Sequence, residues 1–159
     1  MNDAFSFFRP MTEADLDWVM ATELLAYDFP WSRSGFEKAL DDGLSYVFCN
    51  SQQRLLGYAF FLTVLDEVHL LNFCVHPRFH RQGIGRCALA SLMQYFTLTD
   101  YTRMLLEVRE SNPAIALYQA LGFQCDGVRR DYYRAQAFEN GDWVEAREDA
   151  ILMSCALDG

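Results

Sequence analysis

The chain of 159 residues is 52% hydrophobic, and its formal net charge at pH 7 is −9. This length predicts a single domain over residues 1–159 that can bury one sizeable core. The acidic charge argues against direct binding of nucleic acid through phosphate contacts, and it is compatible with attraction of a cationic substrate. No apolar run approaches the roughly 18 residues of a membrane span, so we expect no membrane insertion.

The five cysteines and three histidines indicate neither disulfides nor a metal site. The cysteines are odd in number, scattered and mostly within apolar runs, which is typical of buried side chains in a reducing compartment. Pro77 prevents a helix from placing His76 and His80 on one face, so no bound metal is expected. The N-terminus lacks the basic and apolar regions of a secretory leader, and we therefore expect a cytoplasmic protein.

The first half of the chain predicts two helices and an antiparallel meander. Thr12 with Asp15 resembles a capping box, and Ser32 or Ser34 can cap the second helix. The apolar residues at helical spacing in the first helix are Leu16, Val19, Met20 and Leu24. In chain order, the predicted elements are a strand over Phe5 to Arg9, a helix over Glu13 to Ala26, a short helix that ends at Leu40, and strands over Tyr46 to Cys49, Leu55 to Val64 and Val68 to Val75.

The second half predicts a helix, a strand, another helix and a β-rich tail. Because a helix separates the strand over Thr102 to Val108 from the strand that contains Leu70, the two strands are expected to be parallel. The other predicted features are a helix that ends near Phe96, an N-cap at Asn112 with Pro113 at the first helical position, a helix end at Gly122, a hairpin turn at Asn140-Gly141 and a closing strand over Ala150 to Leu157. Together these elements predict one α/β domain with a mixed sheet.

The stretch from Val75 to Arg86 carries a buried strand through two glycines into a helix. Gly83 and Gly85 lack a Cβ, so the backbone can come within hydrogen-bonding distance of a ligand. The first-turn amides and the helix dipole would bind phosphate or pyrophosphate there. The alternative is an ordinary glycine-containing loop before a surface helix. A dinucleotide-binding loop is disfavoured, because its glycines would follow the strand almost at once in a parallel unit. Here seven residues, His76 to Gln82, lie between the strand and Gly83, and an antiparallel meander precedes them.

Two further residues are candidates for proton transfer. Glu107 interrupts an apolar strand near its C-terminal end, where ligand sites of α/β sheets gather, and a partly buried carboxylate there can take up a proton. The alternative is a strand-end carboxylate that faces solvent or pairs with Arg109. Tyr118 has the spacing of a core residue, although its hydroxyl could still donate a proton. The loop that contains Phe29 and Trp31 is either a packed lid or a wall of a substrate site.

These residues resemble the GNAT superfamily of acetyltransferases. The coenzyme A loop of that family, Q/R-x-x-G-x-G/A, is matched from His80 to Gly85, with His80 in place of the usual first residue. The chain is also similar to the RimI-type ribosomal-protein N-terminal alanine acetyltransferases. The matching pieces include Phe29-Pro30-Trp31-Ser32, Leu65-Asp66-Glu67, Leu106-Glu107-Val108-Arg109, Ser111-Asn112, Leu121-Gly122-Phe123, Arg129-Arg130, Tyr132-Tyr133 and Arg147-Glu148-Asp149-Ala150.

The resemblance implies a mostly antiparallel central sheet flanked by about four helices, with acetyl-CoA as co-substrate. It implies that Glu107 is the general base and Tyr118 the general acid. Residues implied to contact the acetyl-pantetheine end, through a locally splayed strand, are Phe73, Cys74 and Val75. Those implied to bind the pyrophosphate are Arg81, Gln82, Gly83, Ile84, Gly85 and Arg86, with Asn112 on the pantetheine arm. Residues implied to border the peptide entrance are Phe29, Tyr132 and Tyr133.

The resemblance further implies acetyl transfer to a basic protein N-terminus, the alanine of the eighteenth small-subunit ribosomal protein. We expect a monomer rather than an oligomer. Alternatives are acetylation of a lysine side chain or a small polyamine, and a non-catalytic module that holds coenzyme A and a peptide. The chain departs from the family in a longer hairpin over Arg134 to Ala146. Its acidic and aromatic residues either extend the groove for a basic peptide or form a solvated hairpin with one Trp packed on the core.

Overall fold

Residues 4–158, which the computed structural model describes, form one seven-stranded sheet and four α-helices. The helices are α1 (Leu16–Ala26), α2 (Arg33–Asp42), α3 (Ile84–Leu98) and α4 (Ala114–Ala120). The strands are β1 (Phe7–Pro10), β2 (Leu44–Cys49), β3 (Leu55–Val64), β4 (Glu67–Val75), β5 (Arg103–Arg109), β6 (Gln124–Glu139) and β7 (Asp142–Ala156). Two 3₁₀ turns, Glu13–Asp15 and Pro77–Phe79, lie before α1 and after β4. The predicted α/β fold with a mostly antiparallel sheet is confirmed.

The sheet opens between its two central parallel strands. Its strand order is β1-β2-β3-β4-β5-β7-β6, and β4 with β5 is the one parallel pair among the described residues, as the sequence predicted. Their pairing ends at Leu70 opposite Leu106, although both strands continue. Leu71 forms a β-bulge in β4, because Leu70 and Asn72 pair with consecutive residues of β3. The bulge marks the point at which β4 and β5 diverge. The result is a slot with β4 on one side and β5 on the other.

Alternate side chains of β3 enter two hydrophobic cores on opposite faces of the sheet. Phe61 packs against Phe96 of α3, with ring centroids 4.9 Å apart. Phe60 belongs to the other core, with Val19 of α1 and Phe36 of α2. Because side chains alternate along a strand, neighbouring residues serve different layers. The helices therefore fix β3 and β4 from both sides and hold the slot in place.

The predicted capping box is confirmed, but α1 begins at Leu16 after a 3₁₀ turn rather than at Glu13, and its buried face is rotated from the predicted one. The Asp15 carboxylate accepts the Thr12 backbone N–H at 2.9 Å and pairs with Arg9. Leu24, expected on the apolar face, is 68% exposed, whereas Glu23 is 2% exposed. Glu23 lies four residues after the buried Val19, so an acidic residue occupies the inward stripe and α1 presents its carboxylate to the sheet.

The predicted cap of α2 is confirmed, whereas the N-cap of α4 is Pro113 rather than the predicted Asn112. Ser32, rather than Ser34, accepts the N–H of Gly35 at 3.2 Å to cap α2. Asn112 Oδ1 accepts the N–H of Ala114 at 2.8 Å, although α4 begins one residue later than predicted. Gly122 follows α4 with φ +97°, a left-handed conformation that ends a helix.

The last two strands form one long hairpin. Its turn is confirmed at Asn140 and Gly141, which have φ of 52° and 80°. The closing strand begins directly after this turn rather than at Ala150, because it pairs with β6 along the whole hairpin. At the other end of the sheet, β1 begins at Phe7 rather than Phe5. Among the helices of residues 4–158, none has the length and hydrophobicity to cross a membrane.

Candidate active site

The slot between β4 and β5 brings the predicted base opposite the predicted acetyl-binding strand. Glu107 is the first residue of β5 beyond the last pair, Leu106 with Leu70. On the opposite side, Phe73 and Val75 follow the bulge along β4. Glu107 therefore lies on β5 at the point where the two strands part.

A glycine loop leads from β4 into α3 at one end of the slot, as predicted. Gly83 has φ +76° and precedes the helix, and the first amide that donates within α3 is Cys87 N–H to the Gly83 carbonyl, at 3.1 Å. The amides of residues 84–86 thus have no acceptor in the preceding turn. A Cβ on Gly85 would lie 3.4 Å from a methyl of Val75, so the start of α3 packs directly on β4.

Side chains of the loop either face solvent or anchor it. Arg81, Gln82 and Arg86 are exposed, and Ile84 is buried in the core below α3. His80, the departure from the family pattern, has its Nε2 2.7 Å from the Val75 carbonyl and so ties the loop back to β4. The loop is therefore held by its buried and backbone contacts while its amides remain at the surface.

The predicted base is partly exposed and ion-paired. The Glu107 side chain is 35% exposed, and its Oε1 lies 3.1 Å from Nε of Arg129 on β6. The alternative pairing with Arg109 is wrong, because Arg109 pairs with Glu148 at 2.8 Å and donates to the Arg134 carbonyl. The strand pattern gave no sign of Arg129, since its position depends on the β6–β7 register.

The predicted acid is a buried tyrosine that keeps its proton. Tyr118 on α4 is 5% exposed, and its ring contacts Phe123 at a centroid distance of 5.7 Å. Burial, with smaller contributions from Tyr133 and Cys74, raises the pKa of Tyr118 well above its ordinary value. Its position in the core is the one that its spacing predicted, and its hydroxyl is a proton donor at neutral pH.

Cys74 lies on β4 next to the slot but does not have the character of a nucleophile. The residue is buried, and desolvation raises the pKa of its thiol to about 11. A thiol that holds its proton is a poor nucleophile near neutral pH. Cys74 therefore lacks the properties of a catalytic nucleophile.

The three predicted entrance residues form one aromatic and cationic cluster beside Glu107. The Arg109 guanidinium lies 4.6 Å from the ring centre of Tyr133 and 5.1 Å from that of Phe29. The Tyr132 and Tyr133 rings meet at 5.0 Å. Burial, with the nearby Glu107 carboxylate next in effect, raises the pKa of Tyr133 to about 12. Of the two aromatic residues in this loop, Phe29 therefore lies in the cluster beside Glu107, whereas Trp31 packs against Phe36 and Phe60.

The additional hairpin meets Phe29 across a cavity of about 210 Å³. The residues that line this cavity are Phe29, Arg134, Ala135, Gln136, Glu145, Ala146 and Arg147. Of the acidic residues proposed to extend the groove, only Glu145 lines it, and two arginines share the wall. Trp143 is 64% exposed and rests on Phe138, so the alternative of a Trp packed on the core is wrong. Across residues 4–158 no cluster of three or more His, Cys, Asp or Glu side chains could hold a metal ion.

Comparison with known proteins then places this geometry in a family. Residues 11–123 match the Acetyltransferase (GNAT) family. The chain belongs to the GNAT acetyltransferase family. It is 37% identical over 146 residues to the [ribosomal protein bS18]-alanine N-acetyltransferase of Escherichia coli K12, a match that covers 90% of this chain and 92% of that one.

Solved structures agree with this membership. The crystal structure of the ribosomal-protein-S18-alanine N-acetyltransferase from Escherichia coli matches with a TM-score of 0.83 and 32% identity, over 96% of this chain and 94% of that one. A GNAT acetyltransferase from Elizabethkingia anophelis with acetyl-CoA bound matches with a TM-score of 0.73 and 20% identity, over 98% and 99% of the two chains. At that identity the second likeness shows the fold alone.

Proposed function

We propose that this GNAT protein transfers the acetyl group of acetyl-CoA to the α-amine of the N-terminal alanine of ribosomal protein bS18. The observation that carries the proposal is its identity to the Escherichia coli bS18-alanine enzyme along nine tenths of the chain. The slot supports it, since a glycine loop, a carboxylate and an aromatic entrance lie along one path.

In this proposal acetyl-CoA lies in the slot with its pyrophosphate on the amides of residues 81–86. That segment runs from Arg81, through Gln82, Gly83, Ile84 and Gly85, to Arg86. The N-terminus of α3 supplies donors and a favourable dipole there. The acetyl-pantetheine end lies along Phe73, Cys74 and Val75, and the Asn112 side-chain nitrogen binds the pantetheine arm.

The proposed chemistry is direct attack of the amine on the thioester. An α-ammonium has a pKa of roughly 8, against about 10.4 for lysine, so one carboxylate can free it near neutral pH. Glu107, directly or through water, first takes a proton from the α-ammonium, and the free amine nitrogen then bonds to the acetyl carbon. The C–S bond breaks as the Tyr118 hydroxyl gives its proton to the departing thiolate, and the second proton of the nitrogen passes through water to restore Tyr118. Backbone amides of β4 stabilise the charge on the carbonyl oxygen.

Phe29, Tyr132 and Tyr133 would border the entering peptide. Their rings form the wall beside Glu107, so an N-terminal amine that passes them reaches the carboxylate. We propose a cytoplasmic location, which a ribosomal-protein substrate supports. We propose a single-domain monomer that acts on a basic protein N-terminus without direct contact to nucleic acid or membrane and without a metal.

Acetyl transfer to two synthetic peptides tests the proposal. Both begin with the bS18 sequence and contain one internal lysine, and one of them has a blocked α-amine. Mass spectrometry should locate the acetyl group on the free α-amine alone. Equal labelling of both peptides would instead identify an enzyme that acts on lysine side chains. Binding of acetyl-CoA without any transfer would favour a non-catalytic module.

A further inference from the structure

A buried carboxylate on α1 holds the strand that forms the acetyl side of the slot. Glu23 accepts hydrogen bonds from the Tyr58 hydroxyl at 2.6 Å, from Asn72 Nδ2 at 3.0 Å and from the backbone N–H of Trp31 at 3.0 Å. All three donors are neutral. Glu23 is 2% exposed. A buried carboxylate is tolerated in a core only when hydrogen-bond donors satisfy it, so this network stabilises the fold around Glu23.

The hydrogen-bonding pattern of β4 decides which of its backbone groups face the slot. His76 N–H donates to the Leu56 carbonyl at 2.9 Å, and bonded pairs alternate along an antiparallel ladder. Cys74, two residues before, therefore bonds to β3. Phe73 and Val75 occupy the alternate positions, so their N–H and C=O groups face the open edge that β5 has left.

Both carbonyls on that open edge already have side-chain partners. The Phe73 carbonyl accepts the Tyr27 hydroxyl at 2.7 Å, and His80 Nε2 lies 2.7 Å from the Val75 carbonyl. The other polar groups on this edge are the backbone N–H groups of Phe73 and Val75. An edge of this kind suits a ligand that presents a hydrogen-bond acceptor, such as the carbonyl oxygen of a thioester.

Tyr27 is itself anchored by Glu23. It directly follows α1, and its backbone N–H donates to the Glu23 carbonyl at 3.0 Å. The Glu23 carboxylate holds Asn72, and the Tyr27 hydroxyl holds the next residue, Phe73. Two adjacent residues of β4 are thus fixed from one helix, directly after the bulge at Leu71.

We propose that Tyr27, anchored through Glu23, is a positioning residue of the acetyl site. Its hydroxyl occupies the Phe73 carbonyl and so aims the Phe73 N–H at the thioester carbonyl oxygen. This inference rests on the proposed binding of acetyl-CoA in the slot. It assigns to α1 a part in polarising the thioester, in addition to its part in the core.

The test compares Tyr27→Phe with Tyr46→Phe, a matched loss of one tyrosine hydroxyl. Tyr46 is buried on β2 against Tyr95 and Phe96, in the core on the other face of the sheet. Calorimetry measures the affinities for acetyl-CoA and for CoA, and steady-state kinetics give kcat and both KM values. Melting temperatures report the structural cost of each substitution.

Tyr27→Phe should reduce kcat about 10- to 100-fold and leave the KM for peptide unchanged. It should also lower the ratio of acetyl-CoA to CoA affinity several-fold, whereas Tyr46→Phe leaves that ratio at the wild-type value. Glu23→Gln should move the ratio in the same direction. An unchanged ratio and kcat in Tyr27→Phe would overturn the inference. If the wild type binds acetyl-CoA but labels no peptide, the proposed function fails, and the affinity ratio still decides the role of Tyr27.

Discussion

One end of the slot is formed by backbone groups and the other end by side chains. The end assigned to coenzyme A is backbone: a left-handed Gly83, the first amides of α3 and one edge of β4. The peptide end is made of side chains from separate segments, with Phe29 before α2, Arg109 on β5 and Tyr133 on β6. Backbone amides can bind the same cofactor whichever side chains surround them. The side chains at the peptide end can instead differ according to the peptide that is bound.

This difference separates a local backbone feature from a site that depends on contacts between distant segments. The glycine loop is a local feature, and its few departures, such as His80, still hold the loop to β4. The entrance instead depends on ion pairs across the sheet, such as Arg109 with Glu148 and Arg129 with Glu107. Substitutions at the two ends should therefore change different kinetic constants.

The largest effect is expected from Glu107→Gln, which removes the base and keeps its shape. The kcat should fall roughly 10²- to 10⁴-fold, while the affinity for acetyl-CoA stays at the wild-type value. Above the α-amine pKa of about 8 the deficit should shrink, because solvent then supplies the free amine. Glu110→Gln, at an exposed carboxylate three residues further on, is the control for kinetics from low to high pH. A loss confined to acetyl-CoA affinity would contradict the assigned role.

Tyr118→Phe should have the next largest effect, a fall in kcat of about 10- to 100-fold, because the thiolate then leaves without a proton donor. Since burial raises the pKa of Tyr118, the wild type should show no loss of kcat from its ionisation up to about pH 10, the ordinary value for tyrosine. Rates with a thioester that has a more acidic leaving thiol provide the check. That substrate should recover much of the lost rate, and an equal deficit with both thioesters would argue against Tyr118 as the acid.

A pair of glycine substitutions tests the backbone end. Gly83 and Gly141 have similar φ, +76° and +80°, and a Cβ at either position would meet nothing within 4 Å. Gly83→Ala and Gly141→Ala should each destabilise the fold by about 1–2 kcal/mol, since both force alanine into the left-handed region. Only Gly83→Ala should weaken coenzyme A binding, about tenfold by calorimetry. Equal binding by both variants would move the pyrophosphate away from this loop.

The smallest effect is expected from shortening the additional hairpin while its Asn140-Gly141 turn is kept. Arg134 and Glu145 line the cavity beside Phe29. Removing the part of β6 between Ala135 and the turn, together with the β7 residues that pair with it, therefore opens the wall of this cavity. The KM for a bS18 peptide should rise about two- to fivefold, with the KM for acetyl-CoA unchanged. A KM for peptide equal to that of the wild type would leave the hairpin as a solvated extension.

Several turns and helix ends of the fold could be predicted from sequence because their signals are local. The Asn112 hydrogen bond at the start of α4, the left-handed Gly122 and the Asn140-Gly141 turn are each set by residues within a few positions of one another. The parallel pairing of β4 with β5 followed from the helix between them. The strand end that carries Glu107 was visible as one acidic residue in an apolar run.

The side-chain contacts of the site could not be predicted in the same way. The partner of Glu107 is Arg129, which depends on an irregular register between β6 and β7 over residues 129–133. The buried Glu23 network joins α1 to β3 and β4 across the fold. Its one local signal was an acidic residue four positions after Val19 on the inward stripe, a position where the apolar pattern instead favoured Leu24.

The most direct measurement is acetylation of intact, unacetylated bS18 by the purified protein, with top-down mass spectrometry of the product. The account predicts one acetyl group, located on the α-amine of the N-terminal alanine, and none on bS18 whose α-amine has been blocked beforehand. Acetyl groups on lysine side chains, or equal labelling of the blocked protein, would contradict it.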